Sequence, residues 1–171
     1  HRIARRQRQM CIRDSIQSCA TKIRTTQQRI GMPDKLLFSF HGIPQSYVCD
    51  DEPYQSQCLS TASLIARELN LDESQYEVAF QSRFGKAEWI KPYLSSRLEE
   101  LPKEGIQNIH VFCPGFSSDC LETIDEIGRE SKEEFFEHGG KSFEFIPCLN
   151  SDKSFINALM DIQKKADIKI L

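Results

Sequence analysis

Apolar positions along the chain change period several times. Ile16, Cys19, Ala20 and Ile23 recur at helical spacing, and Gly31 and Pro33 close that stretch. Lys35 to Phe40 (KLLFSF) is a short, mostly apolar run of the kind a buried strand shows. A loop with Gly42 and Pro44 follows. Asp51 and Pro53 then open a helix on which Leu59, Ala62, Ala66 and Leu69 share a face. Tyr76 to Gln81 (YEVAFQ) predicts a second strand, and a helical stretch follows through Trp89, Leu94 and Leu98. That stretch is interrupted near Pro92 and ended by Pro102 and Gly105. Asn108 to Cys113 predicts a third strand. A longer helix is expected from about Asp119 to His138, stopped by Gly139-Gly140. Phe143 to Pro147 predicts a fourth strand, and Ser151 to Lys165 a last amphipathic helix.

Strands alternating with helices imply right-handed βαβ units, an α/β fold whose parallel sheet is flanked by helices. Ligands of such sheets bind beyond the carboxyl ends of the strands. Three loops therefore come forward: His41-Gly42-Ile43-Pro44, Ser82-Arg83-Phe84-Gly85, and Pro114 to Asp119.

Composition narrows the class. The 171 residues are 39% apolar and 27% charged, ordinary values for one globular domain with a real core. No run reaches the roughly 18 apolar residues of a membrane span, and no hydrophobic leader core is visible, so a cytoplasmic address is expected. The seven cysteines contain no C-x-x-C pair, which argues against a disulfide framework or a zinc knuckle. Residues 1–34 carry eight Lys/Arg against two Asp/Glu, while the chain as a whole is at -3. The basic cluster lacks interleaved aromatics and sits on an acidic body, so nucleic acid is discounted as a partner. Residues 1–15 resemble a translated sequencing-adapter junction and are read as non-native, leaving 16–171 as the domain.

Candidate chemistry gathers in the loops. His41, set behind a buried strand and before Gly42, suits a proton acceptor or metal ligand. His110, inside a strand, and His138, at a helix end, read as structural or solvent-facing, and His1 belongs to the suspect end. Glu122, Glu126 and Glu130 recur every four residues, with Asp119 one turn earlier, and would form an acidic row able to pass cations or protons. Glu122 is nearest the sheet mouth, whereas Glu130 and Glu134 read as a solvated face. Gly128, a weak helix former, marks a place where that helix could distort. Histidine nitrogen with carboxylate oxygen suits Fe2+ and leaves open positions. Phe84 and Trp89 would add flat apolar surface, and Arg83 could pair with a substrate carboxylate. Neither a dinucleotide fingerprint, nor a P-loop, nor a nucleophile elbow is present.

The segments LLFSFHGIPQSYV (36–48), AFQSRFGKAEWIKPY (79–93) and CPGFSSDCLETIDEI (113–127) together resemble the C-terminal half of bacterial ferrochelatases, over about Pro33 to Leu159. The resemblance implies one Rossmann-like, chelatase-type domain of a two-domain enzyme, a lyase that inserts Fe2+ into protoporphyrin IX to form protohaem. It places His41 as the active-site histidine, at the pyrrole nitrogens as base or iron ligand, and Glu122 as its partner carboxylate. Glu126 and Glu130 continue the family's acidic row, and Asp119 opens its S-D-x-x-E-T motif. Cys120 stands where some relatives have histidine. No organic cofactor and no iron–sulfur cluster is expected, and peripheral membrane contact is open. The missing N-terminal half becomes the expected partner, without which the fragment metallates poorly or not at all. Two other readings are a cobalt or nickel chelatase of another tetrapyrrole, and a tetrapyrrole- or metal-binding module without turnover.

Overall fold

A computed structural model describes residues 2–49 and 53–167, with side chains for 13–49 and 53–164. The elements run α1 (Arg2–Ile30), β1 (Lys35–His41), α2 (Tyr54–Leu69), β2 (Tyr76–Gln81), α3 (Leu94–Lys103), β3 (Asn108–Phe112), a π-helix (Glu122–Ser131) continuing into α4 (Lys132–Glu137), β4 (Ser142–Ile146) and α5 (Lys153–Asp167). The strands form one parallel sheet in the order β2-β1-β3-β4.

The alternation of side chains along β1 splits the core in two. Leu36, Phe38 and Phe40 face α1, α2 and α5, where they meet Ile23, Ala62, Ile65 and Phe155. Leu37 faces α3 and the π-helix with Leu98, Ile109, Ile127 and Phe135. Strands buried on both faces must be apolar at nearly every position, which is why KLLFSF reads as a continuous run.

Several expectations are corrected. The helix before β1 is longer than its apolar stripe, running from Arg2 to Ile30. Asp51 and His1 lie outside the described residues. On α2 the buried face is Cys58, Ala62, Ile65 and Ala66, whereas Leu59 is exposed. Trp89 is not helical. Its segment bridges the loop after β1, and α3 starts only at Leu94. Pro102 sits in the last turn of α3 rather than ending it, tolerated because that turn closes within two residues. His110 is buried, at 2% exposure, and His138 is exposed.

The expected long α-helix from Asp119 to His138 is a π-helix from Glu122 to Ser131 before it becomes α-helical. The distortion expected at Gly128 is there. A Cβ at Gly128 would lie 3.5 Å from the Thr123 carbonyl oxygen and 3.7 Å from the Phe145 ring, so β4 packs closely against the widened backbone.

Candidate active site

The order β2-β1-β3-β4 reverses direction between β1 and β3, so a crevice opens where their carboxyl ends diverge. His41 is the last residue of β1, not the first of the loop, and it is exposed at that crevice. Its backbone is fixed from two sides. The Tyr54 hydroxyl donates to the His41 carbonyl at 2.7 Å, and the Gly42 N–H donates to the Gln81 carbonyl at 2.9 Å. The ring Nδ1 is 2.6 Å from the Gly42 carbonyl oxygen, an atom that can only accept. Nδ1 therefore carries the proton, and Nε2 presents a lone pair for a proton or a metal ion.

The segment after β2 folds back onto this histidine. Gln45 N–H donates to the Glu88 carbonyl, and Ile90 N–H to the Ile43 carbonyl, so residues 88–90 run antiparallel to 43–45. That pairing sets the Trp89 ring 6.3 Å from the His41 ring, tilted by 46°. The Trp89 indole N–H donates to the Phe84 carbonyl at 3.0 Å, which leaves the Phe84 side chain projecting, 82% exposed. Gly42 makes the approach possible, since a Cβ there would lie 3.1 Å from both Trp89 and the Gln81 carbonyl oxygen. Arg83 turns away to stack on Tyr93, 4.7 Å from the ring centre.

Buried Gln81 ties the mouth together. Its Oε1 accepts from the Ser39 hydroxyl at 2.6 Å and the Cys113 thiol at 3.5 Å, and its Nε2 donates to the Glu122 carbonyl at 3.5 Å. β1, β2, the end of β3 and the π-helix are thus joined through one amide. Glu122 itself is exposed beside the crevice. A hydrogen bond from the Cys120 side chain, then its own N–H and more weakly the nearby His41, hold its carboxyl below the usual range.

The acidic row divides. Glu126 accepts from Ser82, and together with Glu130, Glu134, Arg83 and Tyr93 it lines a pocket of about 200 Å³ on the α3 side. Glu130 is also paired with Arg129 at 3.0 Å. Burial raises the Glu134 carboxyl pKa. Asp119 is engaged by its surroundings: Oδ1 accepts from the Cys148 N–H at 3.0 Å, and Oδ2 from the Asn150 amide at 2.7 Å. Partial burial pushes its carboxyl up, but the hydrogen bonds from Asn150 and Cys148 outweigh this and lower it. Among the described residues, no three of His, Cys, Asp and Glu are arranged to hold a metal ion by themselves. The pattern of types and spacing held no signal for Gln81, Tyr54 or Asn150, whose partners are remote in sequence.

The Ferrochelatase family model matches residues 12–167. A ferrochelatase of Janthinobacterium sp. (strain Marseille) is 52% identical over 132 residues, covering 77% of this chain and 36% of that protein. One from Hydrogenovibrio crunogenus is 48% identical over 147 residues, covering 86% of this chain and 39% of the relative, and one from Alcanivorax borkumensis is 44% identical, with 86% and 43% covered. The chain thus spans about two fifths of these relatives' length. Among solved structures, a cobalamin (vitamin B12) biosynthesis CbiX protein from Marinobacter aquaeolei is 13% identical, covers 80% of this chain and 99% of its own, and superposes with a TM-score of 0.52, which shows a chelatase-type fold. With its His41, Trp89 and Glu122 segments all inside the matched span, the chain belongs to the ferrochelatase family.

Proposed function

We propose that this chain is the metal-handling part of a ferrochelatase, a lyase that inserts Fe2+ into protoporphyrin IX in haem biosynthesis. The observation that carries the reading is a histidine whose Nδ1 is taken by the Gly42 carbonyl, close enough to Glu122 to help hold that carboxyl below its usual range, in a member of this family. Insertion exchanges two pyrrole N–H protons for one Fe2+. His41 Nε2 takes one pyrrole proton or meets the metal, the remaining pyrrole protons leave to solvent, and Glu122, kept anionic, offers an oxygen ligand and offsets the cation's charge. Glu126 and Glu130 would lead cations or protons between pocket and solvent. Trp89 and Phe84 supply apolar surface for the macrocycle, and Arg83, released from Tyr93, would pair with a substrate carboxylate. The site would favour a ruffled porphyrin, closer to the transition state than the planar one. No redox step and no organic cofactor is needed, and we assign no iron–sulfur cluster.

The share of each relative covered supports a missing half that would wall the other side of the crevice. The domain is taken as residues 16–171, with 1–15 outside it. The family-model match begins at residue 12, inside the stretch set aside. No described helix is long and apolar enough to cross a membrane. A cytoplasmic enzyme, with peripheral membrane contact and without nucleic acid, fits the reading. The test is porphyrin metallation followed by absorbance, using this chain joined to a relative's N-terminal half, beside its His41→Ala variant. Fe2+ insertion by the parent and its loss in the variant supports the reading. Insertion of Co2+ or Ni2+ alone, or porphyrin binding without metallation, sinks it.

A further inference from the structure

We propose that Asn150 is a positioning residue: by holding Asp119, it fixes the start of the π-helix and the placement of Glu122, and it makes Asp119 a clamp. Asn150 lies in the loop after β4, at φ +50°, a conformation that asparagine adopts more readily than most residues. From there it binds the loop after β3 at three points. Its N–H donates to the Ser117 carbonyl at 2.9 Å, its amide donates to Asp119 Oδ2 at 2.7 Å, and its Oδ1 accepts the Asp119 N–H at 2.8 Å. The amide also reaches the Cys148 carbonyl, two residues back in the same loop, at 3.2 Å. All the polar atoms of the side chain are thereby used.

Asp119 passes the constraint on. Its Oδ1 accepts from the Cys148 N–H and lies 3.4 Å from the hydroxyl of fully buried Thr123, whose single proton also has the Cys120 carbonyl within reach at 3.1 Å. The same hydroxyl accepts the Cys120 N–H at 2.9 Å, and the Cys120 carbonyl accepts the Thr123 N–H at 3.2 Å and the Ile124 N–H at 2.9 Å, which opens the helix. Glu122 sits between Cys120 and Thr123, so its backbone has little freedom while this chain of bonds holds. With the Cys148 N–H settled on one oxygen and the Asn150 amide on the other, the Asp119 carboxylate is held in place by the loop around it. The carboxylate also lies at a helix start, where its charge suits the backbone dipoles.

The catalytic side of this inference rests on the reading of Glu122 given above; the clamp itself does not. Two variants separate side chain from backbone. Asn150→Gly keeps the left-handed conformation and removes the amide. Asn150→Asp keeps the shape but sets two carboxylates against each other, a repulsion that one shared proton relieves. Amide hydrogen exchange of the 171-residue chain is the measurement. Protection from Cys120 to Glu126 should fall about tenfold in Asn150→Gly while β1 amides keep theirs. In Asn150→Asp it should fall likewise at pH 7, where two carboxylates face each other. Unchanged protection in both variants, or equal loss in β1, overturns the clamp. In the metallation assay of the completed enzyme, Asn150→Gly should lower kcat at least tenfold with KM for porphyrin unchanged. An unchanged kcat beside lost protection overturns the positioning role. Absence of metallation in the parent would instead remove the functional reading, and hydrogen exchange would still decide the clamp.

Discussion

Ser82 donates both its backbone N–H and its hydroxyl to Glu126, one to each carboxylate oxygen, at 2.6 and 2.7 Å. The pair closes the loop after β2 onto the π-helix, and it holds Ser82 at φ +63°, where a side chain is strained.

Removing either partner should therefore be felt in stability. Hydrogen bonds to a charged group contribute about 1.5–3 kcal/mol each, so Glu126→Ala is expected to cost about 2 kcal/mol or more. Ser82→Gly loses the hydroxyl but relieves the strained φ, whereas Ser82→Ala loses the hydroxyl and keeps the strain. Urea unfolding should rank Ser82→Gly as the milder change. Equal costs would mean that the backbone strain contributes nothing.

Gly42→Ala should disturb the site without touching its chemistry. The added methyl would meet Trp89 and the Gln81 carbonyl at 3.1 Å, tighter than either can accept unmoved. Overpacking of this kind costs about 1–3 kcal/mol. Trp89 is the sole tryptophan, so its emission should shift as the ring leaves His41. An unchanged spectrum together with unchanged stability would refute the close packing.

His110 should shape the acid limb of stability. It is buried on β3, across from Leu36 and Glu144, with no partner for Nδ1, and burial pushes its pKa down to about 4. The unfolded chain takes up a proton near pH 6.5 that the folded chain resists, so stability is full above that pH and falls as pH drops to about 4. The loss across the window is about 3 kcal/mol at 1.36 kcal/mol per pKa unit. The lowered carboxyls of Asp119 and Glu77 begin to give up their contributions as pH falls past their ordinary values of 3.8 and 4.5, so the upper part of the His110 window is free of them. His110→Leu should flatten the fall between pH 6.5 and 4.5 in denaturant melts. A fall of the same size in the variant would assign the acid limb elsewhere.

Glu122→Gln keeps the shape and removes the charge. In the completed enzyme, kcat for Fe2+ insertion should fall about 100-fold or more, with porphyrin affinity nearly unchanged. A weakened porphyrin affinity with intact kcat would make Glu122 a substrate-binding group.

Where sequence and structure agree, the information is local. Tyr76–Gln81 is a strand in both because its alternation and bounding residues act within six positions. The helix after β2 was misplaced because Leu94 and Leu98 stand at helical spacing and the apolar stretch was read back through Pro92 to Trp89, five positions earlier and on no common helical face. Backbone bonds from Gln45 and Ile90 claim the segment around Trp89, and a helix claims only Leu94 and Leu98. Leu59 and Ile65 differ by six positions on α2, and only the sheet's position decides that Ile65 is covered and Leu59 is not. Glu122, Glu126 and Glu130 were legible as a row, since spacing sets angular position on a helix. Their division between crevice and pocket was not legible, because it depends on Ser82 and on a widened helix packed against Phe145.

The residues themselves determined the alternation of strands and helices, the motif loops at the sheet mouth, and the family, because period, punctuation and motif order are properties of neighbours along the chain. The tertiary structure alone decided which nitrogen of His41 is left available, that Trp89 lies beside it, and that Asp119 is held by Asn150. Each of these depends on hydrogen bonds or close packing in three dimensions. Two of them join groups more than thirty positions apart, and the third depends on a single backbone angle at the end of β1.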